Sequence, residues 1–302
     1  MNTTQPCMDC PRQCHVVRPL KSDGIGPDLP GYCHSPLQPV LARAALHFWE
    51  EPCISGSRGS GTVFFSSCNL RCCFCQNSQI SMDGKGIPVT VSRLQAIYHE
   101  LIAQGAHNIN LVTPTPYTRA ILESLSEPLP VPVVYNCGGY ERVETIRAFE
   151  GKVQIYLPDL KYMDSAMAER YSGARDYPDI AARAILAMYE QTGPYVLDDD
   201  GMLQKGVVIR HLILPGHVDN TKRVIDWVRG HFEPEQVLFS LMRQYIPCGR
   251  ASEYPEIDRP LTDEEYDEAE QYLFDSGIED GFVQEKSSAS EGFIPAFDGT
   301  GV

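Results

Sequence analysis

No apolar run in this 302-residue chain approaches the roughly 18–20 residues that a helix needs to cross a bilayer. The N-terminal stretch MNTTQPCMDCPRQC lacks a basic start followed by an apolar segment, so no secretory signal is visible. Basic residues are scarce as well: 25 Lys and Arg stand against 40 Asp and Glu, for a net charge of −15. A protein that tracks a phosphate backbone needs a basic stripe, and none is present. These absences predict a cytoplasmic protein with neither nucleic acid nor membrane as partner. The acidity is also local, because fifteen of the forty acidic residues but only two of the twenty-five basic ones fall at 251–302. That segment reads as a solvated acidic face, with a docking surface for a basic partner as the alternative.

Cysteine is not scarce. Eleven are present, an odd number without an export signal, and most cluster in two short groups. Clustered thiols in a reducing compartment point to metal rather than to disulfides.

The chain divides into an irregular Pro-, Gly- and Cys-rich stretch (1–57), a regular body (58–247) and the acidic segment (248–302) packed on that body. The first stretch holds one candidate helix, Pro39–Trp49. From Gly59 onward strands and helices alternate. Strands are expected at Thr62–Ser66, Asn108–Val112, Val131–Tyr135, Val153–Leu157, Val207–Leu214 and Val237–Met242. Helices are expected at Ser92–Gln104, Tyr117–Leu125, Glu141–Phe149, Pro178–Gln191 and Asn220–His231, with Asp164 capping a short one. Thr262 and Glu265 form a capping-box pattern that opens a last helix to about Asp275. Six strands separated by helices predict an α/β fold with a parallel sheet. Six βα units are too few for a complete eight-stranded barrel, so a partial barrel or a doubly wound sheet fits. In either, chemistry belongs at the C-terminal ends of the strands.

Directly after the first strand stands Ser67-Cys68-Asn69-Leu70-Arg71-Cys72-Cys73-Phe74-Cys75. The x3, x2 spacing lets the thiolates of Cys68, Cys72 and Cys75 converge on one metal centre, with Cys73 pointing away. A [4Fe–4S] cluster usually takes four Cys, so three ligands would leave one iron open, as a catalytic zinc site keeps a position for substrate. A zinc site or a redox CxxC at Cys72 and Cys75 are the alternatives. The Gly56–Gly61 run precedes a strand and lacks the Lys-Ser/Thr of a phosphate loop, so it reads as a flexible lead-in.

The segment CNLRCCFC resembles the signature of radical S-adenosylmethionine (SAM) enzymes, including the aromatic before the last Cys. From Gly59 to about Pro247 the chain is similar to the pyruvate formate-lyase activating enzyme-related group, which activates glycyl radical enzymes, and in particular to a subgroup with a Cys-rich N-terminus. The resemblance implies a partial (β/α)6 barrel, the radical SAM core, carrying a [4Fe–4S] cluster on Cys68, Cys72 and Cys75. SAM would chelate the open iron and be cleaved reductively to a 5′-deoxyadenosyl radical that abstracts hydrogen. The resemblance further implies a low-potential electron donor such as flavodoxin or ferredoxin, and a glycyl radical enzyme as partner.

Residue by residue, the activases' Gly-Gly-Glu segment is replaced here by Val112-Thr113-Pro114-Thr115-Pro116, where the hydroxyls of Thr113 or Thr115 can substitute in part. Asn136-Cys137-Gly138-Gly139 follows the third strand, with Asn136 the candidate SAM contact and the glycines suited to close backbone approach. Asp159-x-Lys161 resembles the activase pair that reaches the SAM ribose and carboxylate. His211 resembles their SAM-adjacent imidazole, although Arg210 and His211 point to opposite faces and only one can enter a pocket. Met242, Gln244 and Tyr245 end the last strand, where substrate could be met.

Cys7-x2-Cys10-x3-Cys14, with Cys33, makes a second candidate metal set, competent for structural zinc or a further iron–sulfur centre. Cys53, Cys137 and Cys248 read as buried thiols outside both sets. Three functions are compatible: activation of a glycyl radical enzyme, radical SAM modification of a small molecule or peptide, and non-catalytic metal binding or electron transfer. The replaced Gly-Gly-Glu segment weighs against the first and the strand-end residues against the last.

Overall fold

The computed structural model describes residues 5–20, 26, 28–284 and 295–302. Part of the acidic stretch therefore lies outside the described residues. Strands β2 (Ser60–Phe65), β4 (Ile109–Val112), β5 (Val133–Cys137), β6 (Ile155–Pro158), β8 (Leu203–Leu212) and β9 (Leu238–Met242) are the six expected from the sequence. Each pairs in parallel with the next in chain order. The order β9-β8-β6-β5-β4-β2 has no reversal. A doubly wound sheet needs one, at its switch point, so that alternative falls. What stands is a mixed α/β fold around a mostly parallel sheet.

Helices α3 (Val91–Ala103), α4 (Thr118–Ser124), α5 (Val143–Ala148), α6 (Ser165–Ser172), α7 (Tyr177–Thr192) and α8 (Val218–His231) fill the crossovers, after the short α1 (Pro52–Ser55) and α2 (Ser78–Ser81). Their starts follow local chemistry. Thr90 accepts from the Arg93 N–H at the head of α3, and Asp164 from the Ala166 and Met167 N–H groups at the head of α6. Helix α9 (Asp263–Ser276) opens with the Thr262/Glu265 capping box that the sequence predicts.

One expectation fails. The predicted helix at Pro39–Trp49 is strand β1 (Val40–His47), antiparallel to both β2 and the short β3 (Ile87–Pro88). Its alanines favour a helix locally, but pairing on both sides decides the outcome, as often happens with short apolar runs. The C-terminal residues reinforce it, since Gly299 N–H donates to Ala42 O (3.0 Å) and Ala44 N–H to Thr300 O (2.9 Å). The VLDDDGML turn is a hairpin from β7 (Val196–Leu197) back to β8. Strand β10 (Gly281–Val283) adds a parallel edge beside β9. The 1–57 segment thus contributes β1 to the sheet and 248–302 contributes β10.

The body is tightly filled. Tyr98, Tyr135, Tyr156, Tyr162 and Tyr177 are all fully buried, and their hydroxyls find partners at Ser124, Glu141, Gln191, Ser172 and the Gly138 and Asp159 carbonyls.

Candidate functional site

A cavity of about 240 Å³ opens at the C-terminal ends of the parallel strands. The cavity lies where chemistry is expected in such a fold. Cys68, Cys72 and Cys75 line it from the loop after β2, Thr113 from the end of β4, and Asn136, Cys137 and Gly138 from β5. Asp159 and Lys161 line it after β6, Arg210 and Leu212 on β8, and Met242 and Gln244 at β9. Cys73, Thr115, His211 and Tyr245 are not among the lining residues.

The three thiols share a local pattern. Cys68 Sγ accepts from Leu70 N–H (3.4 Å), Cys72 Sγ from Ser172 Oγ (3.0 Å) and Cys75 Sγ from Ser81 Oγ (3.4 Å). Hydrogen bonds to the sulfurs are what ligating thiolates receive from their surroundings. Arg71 holds the loop in a left-handed conformation at φ +63°. Burial, and next the neighbouring Cys72, pushes two of these thiols up, to about 12 for Cys68 and about 11 for Cys75. A cation sharing the charge would favour the thiolate forms of Cys68 and Cys75. Among the described residues, no three His, Cys, Asp or Glu side chains surround a single ion. A cubane does not require that, because it spreads its thiolates over separate irons. The donor set fits such a cluster.

Opposite the thiols stands a charge network. Arg210 Nε donates to Asp159 Oδ1 (2.9 Å), Nη1 to Glu50 Oε2 (3.0 Å) and Nη2 to Asn136 Oδ1 (2.8 Å). Lys161 Nζ donates to Asp159 Oδ2 (2.5 Å). Burial alone would raise the Asp159 carboxyl, but the Arg210 guanidinium and then the Lys161 ammonium outweigh it and hold it low. Lys161 is shifted upward despite its own burial, chiefly by Asp159. Asn136 Nδ2 (3.0 Å) and Asn110 Nδ2 (3.2 Å) also donate to Glu50 Oε1. The neighbouring Glu51 is buried and accepts from Ser240 Oγ (2.8 Å); its carboxyl is raised by burial against the pull of Arg210. Fixed cations and carboxylates in one half-buried wall suit a ligand bearing both charges, such as the aminocarboxylate and sulfonium of SAM.

Several placements differ from the sequence reading. Of the β8 pair, Arg210 faces the cavity. His211 faces the other way, with Nδ1 on Leu160 O (2.7 Å) and Nε2 on Thr221 Oγ1 (2.9 Å), and burial pushes its pKa down to about 4. It props the Asp159–Lys161 segment from behind. Thr115 lies in a short 3-10 turn and donates to the buried Glu141 (2.6 Å) instead of facing the cavity. Glu50 and Glu51 were not anticipated. They follow β1, whose antiparallel register brings its end beside the start of β2, so they enter the interior from below. No spacing rule marks them once β1 is read as a helix.

The glycines act on backbone. A Cβ on Gly138 would meet Leu70 Cδ1 at 2.8 Å, and one on Gly139 would press on the Asp159 carbonyl and meet the Tyr177 hydroxyl at 2.9 Å. Close approach is needed there, to neighbouring protein segments rather than to a ligand as the sequence suggests.

No protein-family model matches the chain. Among solved structures it is similar to Streptococcus suis SuiB bound to S-adenosylmethionine, with a TM-score of 0.51 at 13% identity, covering 72% of this chain and 48% of that one. It therefore spans about half the length of SuiB. Methylornithine synthase is similar at a TM-score of 0.51 and 13% identity, covering 86% of this chain and 72% of that one. These likenesses concern the fold. In sequence, the chain is 30% identical over 279 residues to the uncharacterized protein MJ0674 of Methanocaldococcus jannaschii, covering 89% of this chain and 74% of that protein. With identity sustained over that span, the chain belongs to the same family as MJ0674.

Proposed function

We propose that this chain is a radical SAM enzyme: Cys68, Cys72 and Cys75 hold a [4Fe–4S] cluster, and SAM lies against Asn136, Asp159, Lys161 and Arg210. The observation that carries the reading is that three hydrogen-bonded thiols of one loop share a cavity with the Asp159–Lys161–Arg210 network. The fold shared with a SAM-bound protein supports it. When bound, the cluster supplies the electron that cleaves SAM to a 5′-deoxyadenosyl radical for hydrogen abstraction, chemistry that belongs to the cofactors.

The chain's own residues bind and orient. Lys161 pairs with the SAM carboxylate, Asp159 accepts from the ribose hydroxyls, and Thr113 takes part of the amino contact. Arg210 holds Asp159 and Glu50 in place, and Phe64, Leu70, Phe74 and Val112 give the cavity apolar walls that exclude water. His211 acts from behind as a positioning residue. The electron comes from a low-potential carrier of the flavodoxin or ferredoxin kind. No described helix is long and apolar enough to cross a membrane, which suits a cytoplasmic setting. As substrate, the sequence resemblance favours a glycine of a glycyl radical enzyme. The replacement at Val112–Pro116 favours a small molecule or a peptide.

Anaerobic reconstitution with iron and sulfide, followed by dithionite and SAM, tests the reading: 5′-deoxyadenosine should form. Protein that holds the cluster yet leaves SAM intact would mean a metal-binding or electron-transfer role instead. Cys68→Ala, Cys72→Ala and Cys75→Ala should each abolish cleavage, whereas Cys73→Ala should retain it; equal loss in all four would refute the ligand assignment.

A further inference from the structure

The chemistry above makes no use of Cys7, Cys10, Cys14 and Cys33. The backbone around them is drawn into a closed knuckle. Cys7 N–H donates to Val16 O (2.8 Å), His15 N–H to Cys7 O (3.0 Å) and Gln13 N–H to Cys10 O (3.0 Å). Gln13 (φ +39°) and His15 (φ +54°) take left-handed conformations that side-chain-bearing residues rarely adopt. Such backbone persists where something over-determines it.

Three of the four sulfurs accept a backbone N–H, and the fourth has a hydroxyl beside it. The Asp9 N–H is directed at Cys7 and the Arg12 N–H at Cys10. Tyr32 N–H donates to Cys14 Sγ (3.3 Å), and the Ser35 hydroxyl lies 3.0 Å from Cys33 Sγ. The same arrangement, an N–H or hydroxyl beside each sulfur, surrounds Cys68, Cys72 and Cys75. Cys33 lies within electrostatic range of both Cys7 and Cys10.

A cation is buried beside them. Arg18 is 3% exposed, and its Nε has no hydrogen-bond partner among the described residues. Its other nitrogens donate to Ser35 Oγ (3.1 Å), Pro116 O (2.6 Å) and Asp9 Oδ2 (3.3 Å), a carboxylate already shared with Arg119 (3.2 Å). Asp9 balances part of the charge, but the buried Nε–H remains without an acceptor, which is costly. Four thiolates around a divalent ion carry a net charge of about −2, and this would supply one.

The described part of the segment also has little apolar core of its own. Among the described residues of 5–38, only Cys7, Pro36 and Leu37 are buried apolar side chains. Yet it grips the loop that carries the first thiol set. Arg12 donates to Asn69 O (3.0 Å) and Gly173 O (2.7 Å), Tyr32 Oη to Leu70 O (3.1 Å), Arg71 to Tyr32 O (2.6 Å), and Ser67 Oγ to Cys33 O.

We propose that Cys7, Cys10, Cys14 and Cys33 form a second, closed four-thiolate metal centre, taking zinc or an iron–sulfur cluster, that clamps the N-terminal segment onto the loop of Cys68, Cys72 and Cys75. With four protein ligands it keeps no position for substrate, so its role is structural. Among the described residues no three His, Cys, Asp or Glu side chains surround a single ion, so a zinc ion would require the four sulfurs to close around it, whereas a cluster would spread them over separate irons. The inference does not rest on SAM cleavage.

The test uses the full chain carrying Cys68→Ala, Cys72→Ala and Cys75→Ala together, grown with iron and zinc and purified anaerobically. About one zinc, or about four irons with matching sulfide, should remain per chain and distinguish the two metals. Adding Cys7→Ser and Cys10→Ser should remove that metal and expose the N-terminal segment to protease. A folded triple variant free of metal, or metal that survives Cys7→Ser with Cys10→Ser, would overturn the proposal. Should the triple variant prove insoluble, Cys7→Ser with Cys10→Ser in the otherwise native chain decides: metal should fall by one centre, and undiminished metal overturns it.

Discussion

Gly139 lies against the carbonyl oxygen of Asp159 so closely that a Cβ built on it would fall under 3.0 Å from that atom. Its φ of +78° is left-handed, so an L side chain there is strained twice. Asp159 N–H meanwhile donates to Cys137 O (2.9 Å), which locks the two strand ends together. Gly139→Ala must therefore push Asp159 away from Lys161 and Arg210. We expect a stability loss of about 1–3 kcal/mol and at least about tenfold weaker SAM binding, equivalent to roughly 1.4 kcal/mol, with iron content retained. Calorimetric titration of SAM beside iron analysis checks this; unchanged SAM affinity would remove Asp159 from the ligand site.

Arg210 and His211 are adjacent on β8 and should fail in different ways. Arg210→Met leaves Asp159 and Glu50 as half-buried carboxylates that share Lys161 and two asparagines. Breaking a buried pair from one side is strongly destabilising, on the order of 3–5 kcal/mol, and SAM binding should be lost with it. His211→Ala removes partners from Leu160 O and Thr221. It should lower stability while SAM affinity in the folded protein falls only modestly. Denaturant unfolding run in parallel with SAM titration separates the two; a His211 variant that keeps its stability but loses SAM would place the imidazole in the cavity after all.

Much of this site was legible because strand order carries it. Six apolar runs between helices fix where strands end, and functional side chains gather at those ends whatever their identity. Cys68, Cys72 and Cys75 were marked by their spacing, and Thr113, Asn136, Asp159 and Lys161 by the activase resemblance at those strand ends; all seven line one cavity. The failures have a common cause. Residues 39–49 present a helix-favouring alanine stretch whose fate depends on pairing with both the next strand, β2, and the more distant β3, and Glu50 and Glu51 were missed for the same reason. Period-two alternation shows that Arg210 and His211 face apart, but it does not say which face is the interior. Thr115 was lost to a 3-10 turn that an extended reading of Val112–Pro116 does not anticipate.

Glu141 offers a pH test of that turn. Its carboxyl is 1% exposed and accepts from Thr115 Oγ1 (2.6 Å) and Tyr135 Oη (3.3 Å). Burial pushes its pKa up to about 8, against the two hydrogen bonds that pull it down. The folded pKa thus exceeds the unfolded one, near 4.3, so the native state holds the proton more tightly. Its contribution is fully present below about pH 4 and is lost as pH rises through about 8. Glu141→Gln keeps the acceptor oxygen and removes the ionisation. Relative to that variant, the native chain should therefore lose stability progressively between about pH 4.5 and 8 and level off above. Urea unfolding of both proteins at pH 5, 7 and 9 measures the difference. Parallel curves across that range would show that Glu141 is already ionised in the fold, and the buried Thr115–Glu141–Tyr135 contact would then need a cation beside it.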